Sequence, residues 1–121
     1  MAKRILIVED EPLIAMLLED LLDALGYDCA GAADGVPGAL ALIGSATAGP
    51  GAIDGAIIDV NLRGGEKSWP VADALAARGI PFVIATGGGD SAITERHRAR
   101  PRLNKPFSLD GVDRALAALL S

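Results

Sequence analysis

The stretch Ile57-Ile58-Asp59-Val60-Asn61 decides the fold. A short apolar run ends in a carboxylate, and a side-chain amide follows two residues later. Runs of this kind, without polar alternation, belong to strands buried on both faces, the habit of parallel sheets. Ligands in open α/β sheets bind in the crevice outside the carboxyl ends of such strands. Asp59 is therefore a candidate site residue, with Asn61 beside it in the loop that follows.

Working outward from this stretch, strand and helix signals alternate five times. Ile5 to Val8 reads as the first strand, with Glu9-Asp10-Glu11 at its end and Pro12 suited to the first turn of a helix. Leu13, Ile14, Leu17, Leu18, Leu21, Leu22 and Leu25 recur at helical spacing, and Gly26 stops that helix. Asp28 to Ala32 is a weaker strand. A helix centred on Ala39 to Ile43 follows, weakened by Pro37, Gly38 and Gly44. Ile53 to Asp59 is the third strand. Ser68-Trp69-Pro70 opens a helix that presents Val71, Ala74, Leu75 and Ala77 and ends at Gly79. Ile80 to Ala85 is the fourth strand, closed by Thr86 and Gly87-Gly88-Gly89. A short polar helix is expected over Ser91 to Arg98, then a poor strand over Arg102 to Asn104. Ser108 caps a last helix that buries Leu109, Val112, Leu116, Leu119 and Leu120. Such alternation predicts an α/β fold: an all-parallel sheet with helices on both faces. Residues 1–121 are expected to form one domain, with no effector domain.

In such a sheet the ends of the first, third, fourth and fifth strands share one rim. The sequence places Glu9 and Asp10, Asp59 and Asn61, Thr86 and Lys105 there. Three carboxylates at close quarters repel one another unless a cation neutralises them. Carboxylates, a carbonyl and waters are the hard oxygen donors that suit magnesium. A divalent ion beside a carboxylate can also screen and bridge an incoming phosphoryl group. Lys105 supplies a mobile point charge for that group, aimed by a peptide before Pro106 that is a candidate for the cis form. Thr86 offers a hydroxyl. Each residue also has a plainer reading: Asp10 or Glu11 as a helix cap, Thr86 as a turn residue, Lys105-Pro106 as loop.

These pieces together resemble the receiver domain of bacterial two-component response regulators over the whole length of the chain. The matching segments are Val8-Glu9-Asp10-Glu11-Pro12, Ile58-Asp59-Val60-Asn61-Leu62, Ala85-Thr86-Gly87 and Lys105-Pro106-Phe107. The resemblance implies a flavodoxin-like (βα)5 fold with strand order 2-1-3-4-5. It implies that Asp59 accepts a phosphoryl group from a histidine kinase or phosphotransfer protein. Glu9 (through water), Asp10, Asp59 and the Asn61 carbonyl would organise Mg2+, while Thr86 and Lys105 sense the phosphoryl group. Asp59-Val60-Asn61-Leu62, Ser68 to Asp73, and Arg78 to Phe82 through Ala85-Thr86-Gly87-Gly88 look most like the stand-alone "FAT GUY" receivers of alphaproteobacteria, linked to HWE-type histidine kinases. Ile84 stands where that motif has Phe.

Two departures bear on switching. Arg102 occupies the place where most receivers carry an aromatic three residues before the lysine. Arg63 replaces a usual proline four residues after the acceptor, with Gly64-Gly65 next. The expected switch is therefore ordering of Gly87 to Arg98 through Thr86, since that segment has only Ala92 and Ile93 as anchors.

Composition narrows the alternatives. The 121 residues carry a net charge of −5, which argues against nucleic-acid binding despite Arg96, Arg98, Arg100 and Arg102, read as a solvated patch. A single cysteine, Cys29, excludes an internal disulfide and fits a reducing cytoplasm; it is expected to be a small buried hydrophobe. No apolar run approaches a membrane span. His97, the sole histidine, is expected to be solvated among its arginines, and Trp69 to cover the core. The expected role is a phosphoacceptor signalling module acting by protein contact or as a phosphate sink, not a classical enzyme. The alternatives are a magnesium-dependent aspartyl phosphohydrolase and a degenerate receiver that only binds partners.

Overall fold

β1 (Arg4–Val8) and β3 (Gly55–Asp59) lie at the centre of a five-stranded sheet of order β2-β1-β3-β4-β5 in the computed structural model, with β2 Asp28–Ala33, β4 Phe82–Thr86 and β5 Arg102–Asn104. Every pairing is parallel. Residues 2–46, 52–60, 62, 67–86, 97, 100–104 and 107–120 are described; the helix expected over Ser91 to Arg98, together with Gly64-Gly65, Asn61 and Lys105-Pro106, falls outside them apart from His97.

Strand residues alternate between two cores. Leu6, Val8, Ala56, Ile58, Phe82 and Ile84 pack under α2 (Val36–Ser45) and α3 (Trp69–Ala77). Ile5, Ile7, Ile57, Val83 and Ala85 pack under α1 (Pro12–Ala24) and α4 (Leu109–Leu120). Both faces of the sheet are thus covered, which is why its central strands read as continuous apolar runs.

The helices start and stop for local reasons. Pro12, Pro37 and Pro70 each sit in a first turn, where the missing N–H costs nothing. Pro37 therefore opens α2 rather than weakening it. Ser108 Oγ accepts the Gly111 N–H at 3.0 Å and caps α4 as expected. Ser68 does stand at the head of α3, but its hydroxyl makes no capping bond and is buried without a hydrogen-bond partner. Gly26, at φ +86°, ends α1 in the left-handed conformation that favours glycine. Arg78 closes the end of α2 from outside: its guanidinium donates to the Ile43 carbonyl and, at 3.2 Å, to the Ala46 carbonyl. The Ile43 carbonyl also accepts the Ala46 N–H at 3.2 Å, so the guanidinium adds a second donor at the end of the helix.

Several boundaries and faces differ from the sequence reading. β3 starts at Gly55 rather than Ile53, and β4 runs from Phe82 to Thr86 rather than from Ile80 to Ala85. In α1 only Leu18 and Leu22 are buried, while Leu13 and Leu17 face outward with Met16. The run of leucines contains more than one helical stripe, and the sheet can cover only one. In α4 Val112 and Leu116 are buried and Leu109 is exposed. Both sheet edges are interrupted. β5 has three residues, and β2 carries a register shift opposite Ile5 and Leu6, where Gly31 adopts φ +146° with Leu42 packed on it. Among the described residues, no helix is long and apolar enough to cross a membrane.

Candidate functional site

Parallel register brings three strand ends to one corner. Val8 pairs with Ile58, so Glu9 lies beside Asp59. Asp59 pairs with Ala85, so Thr86 extends one residue past it, and Thr86 in turn pairs with Asn104. The Val60 N–H donates to the Ala85 carbonyl at 3.3 Å, holding the start of the loop after β3 against β4. Lys105 follows Asn104 in sequence but, like Asn61, lies outside the described residues.

The carboxylates of Glu9, Asp10 and Asp59 each place an oxygen within 4.8 Å of the others. Glu9 and Asp59 are buried, at 4% and 7% exposure, and Asp10 is half-buried. Three negative groups taken this far out of water are mutually destabilising, and three hard oxygens within one cation's reach fit a divalent ion of the alkaline-earth kind. The capping alternative for the acids is settled by geometry. Glu11 occupies the N-cap position of α1 without a side-chain cap, and the Glu11 N–H goes to Glu9 Oε2 at 3.2 Å. Asp10 is not the cap, which leaves its carboxylate in the acidic cluster. Thr86 is buried at the rim.

A second cluster was not expected. His97 is buried, with 3% exposure, contrary to the solvated side chain anticipated from its arginine neighbours. Its ring stacks on Trp69 at 5.8 Å with 26° between the planes, and it meets Phe82 edge-on at 5.6 Å and 69°. Nε2 lies 2.9 Å from Asp73 Oδ1, while Nδ1 is buried with no hydrogen bond. Arg100 places its guanidinium 4.4 Å over the Phe82 ring, so it too leaves the expected solvated patch. Trp69 covers the core, as expected. Nothing in the sequence marks the cluster: Trp69 and Phe82 both precede the lone histidine, and residues 69, 73, 82, 97 and 100 share no periodicity.

Cys29 is half-buried on β2, its sulfur 3.7 Å from Glu19 Oε1. Burial pushes its thiol above the ordinary value, and the Glu19 carboxylate adds to the effect.

No protein-family model matches the chain. It is 34% identical over 122 residues to the phyllosphere-induced regulator PhyR of Methylorubrum extorquens; the match covers 99% of this chain and spans 44% of the length of that relative. The solution structure of SdrG from Sphingomonas melonis Fr1 is 61% identical, with a TM-score of 0.84 over 99% of this chain and 98% of that one. A BeF3-activated conformation of SdrG, from Pseudomonas melonis Fr1, matches at 60% identity and a TM-score of 0.82 over the whole of both chains. The response regulator receiver domain of Erythrobacter litoralis PhyR matches at 29% identity and a TM-score of 0.81, over 98% of this chain and 90% of that one. With a flavodoxin-like sheet, an acidic corner at its carboxyl edge and these relatives, the chain belongs to the receiver domains of bacterial response regulators.

Proposed function

We propose that this receiver takes a phosphoryl group onto Asp59 from the phosphohistidine of a histidine kinase or phosphotransfer protein, and signals by protein contact. The observation that carries the reading is the carboxylate trio of Glu9, Asp10 and Asp59, with oxygens within 4.8 Å of one another at the end of the central strands. One Asp59 oxygen attacks phosphorus in line with the P–N bond; the P–O bond forms as the P–N bond breaks, and the imidazole takes a proton from water. Magnesium, when bound by Asp10, Asp59, the Asn61 carbonyl and Glu9 through water, would neutralise the charge gathering on the phosphoryl oxygens.

The chain's own groups do the rest. Burial of Asp59 limits access of water to the acyl phosphate once formed. Thr86 donates its hydroxyl to a phosphoryl oxygen, and Lys105 pairs with another. The donor protein must sit over the rim, and α1 begins there with an apolar face: Leu13 is 79% exposed and Met16 57%. Large apolar side chains in contact with water beside an acceptor suit a docking helix of the donor, with HWE-type kinases as the first candidates.

The test is phosphorylation by acetyl phosphate and by candidate kinases. Wild type is expected to acquire one magnesium-dependent, acid-stable and base-labile phosphoryl group, and Asp59→Ala none. Stoichiometric labelling of Asp59→Ala would remove Asp59 as acceptor. Lys105→Ala is expected to keep some labelling while losing signalling.

A further inference from the structure

His97 lies between the head of α3 and the start of β4, the two elements that adjoin the acceptor corner. On the β3 side, the Val60 carbonyl accepts the Ser68 N–H at 3.1 Å, and Trp69 then starts α3. On the β4 side, the Arg100 N–H returns to the His97 carbonyl at 3.1 Å, and the Ile84 N–H takes the Pro101 carbonyl at 2.9 Å. Between them the His97 ring stacks on Trp69, bonds Asp73 one turn further along α3, and touches Phe82 at the start of β4. A continuous chain of contacts thus runs from Asp59 through Val60, Ser68 and Trp69 to His97, and back along β4 to Thr86.

We infer that His97 is a positioning residue for the switch: it ties α3 to β4, so that a phosphoryl group engaged by Thr86, at the other end of β4, alters the Trp69–His97 stack. The inference rests on the acceptor reading of Asp59. A space-filling role would be served as well by leucine. His97 instead makes oriented contacts, one nitrogen held by a carboxylate and the ring set against two aromatic groups, and its other nitrogen goes without a hydrogen bond in the core. Oriented contacts between packed elements shift as discrete alternatives rather than continuously, which suits a relay.

Trp69 is the sole tryptophan, so the stack carries its own reporter. The experiment adds magnesium and beryllofluoride to the full chain, follows Trp69 emission, and measures bound fluoride separately by 19F NMR. Wild type should bind beryllofluoride and shift its emission. His97→Ala and Asp73→Ala should still bind it but lose most of the shift. The Asp73 side chain is 47% exposed, so its variant keeps the test alive if His97→Ala fails to fold. A stability role alone would lower the melting temperature of both variants and leave the ligand-induced shift intact. Bound beryllofluoride with a silent Trp69, or with an unchanged shift in the variants that fold, overturns the inference alone. Absence of bound beryllofluoride on wild type overturns the acceptor reading and this inference with it.

Discussion

The acidic corner and the aromatic cluster are built on opposite terms. At the corner, Glu9, Asp10 and Asp59 are held together at a cost, because like charges share a partly dry site. Around His97, a stacked pair, an edge-on pair and a cation over a ring each favour the folded state. Binding competence and fold stability are therefore assigned to different residues of the same domain. A substitution can raise one while lowering the other.

The sharpest way to break this contrast is Phe82→Ala. Phe82 is fully buried and is touched by both His97 and Arg100. Its loss should cost about 3–5 kcal/mol of stability in urea unfolding. The fraction that remains folded should still label with acetyl phosphate. Asp10→Asn should do the reverse. Relief of repulsion should stabilise the metal-free protein by about 0.5–2 kcal/mol. The same change should cut magnesium-dependent labelling at least about tenfold. Magnesium at 100 times its dissociation constant should stabilise wild type by about 2.7 kcal/mol and the variant by less. A metal-free Asp10→Asn protein that melts lower than wild type would show that the acids do not strain the corner.

The acidic corner was legible in the sequence and the aromatic cluster was not, for a physical reason. Glu9 and Asp59 each end a run whose period marks a buried strand, so the end of the run and the residue on it are read together. Parallel pairing then fixes their neighbours without further information. His97 has no such frame. Its local neighbours are arginines, and its partners come from α3 and β4, so local polarity pointed to solvent. The stripe on α1 failed for a related reason. Leu13, Leu17, Leu18 and Leu22 all fit helical spacing, and only the packed sheet decides that Leu18 and Leu22 go inside. Where sequence reading did work on helices, as at Gly26 and Ser108, the signal was a local backbone requirement.

The smallest expected effect lies away from both regions. The Cys29 thiol, held above its ordinary value chiefly by burial, should react with disulfide reagents at neutral pH more slowly than free cysteine, and faster as pH rises. The folded thiol keeps its proton to higher pH than the unfolded one. Stability from this group is therefore complete below the ordinary thiol value and falls as pH climbs through the alkaline range above it. A Cys29→Ala protein should lose that alkaline slope.

The interrupted outer strands have a consequence for life at high concentration. A parallel sheet with two open margins invites other chains to add on and grow a fibril. Among the described residues one margin offers a ladder of three residues, and the other is broken by a register shift between Cys29 and Gly31. Both interruptions leave a poor template for strand addition, so edge-to-edge pairing of copies is disfavoured by the sheet itself.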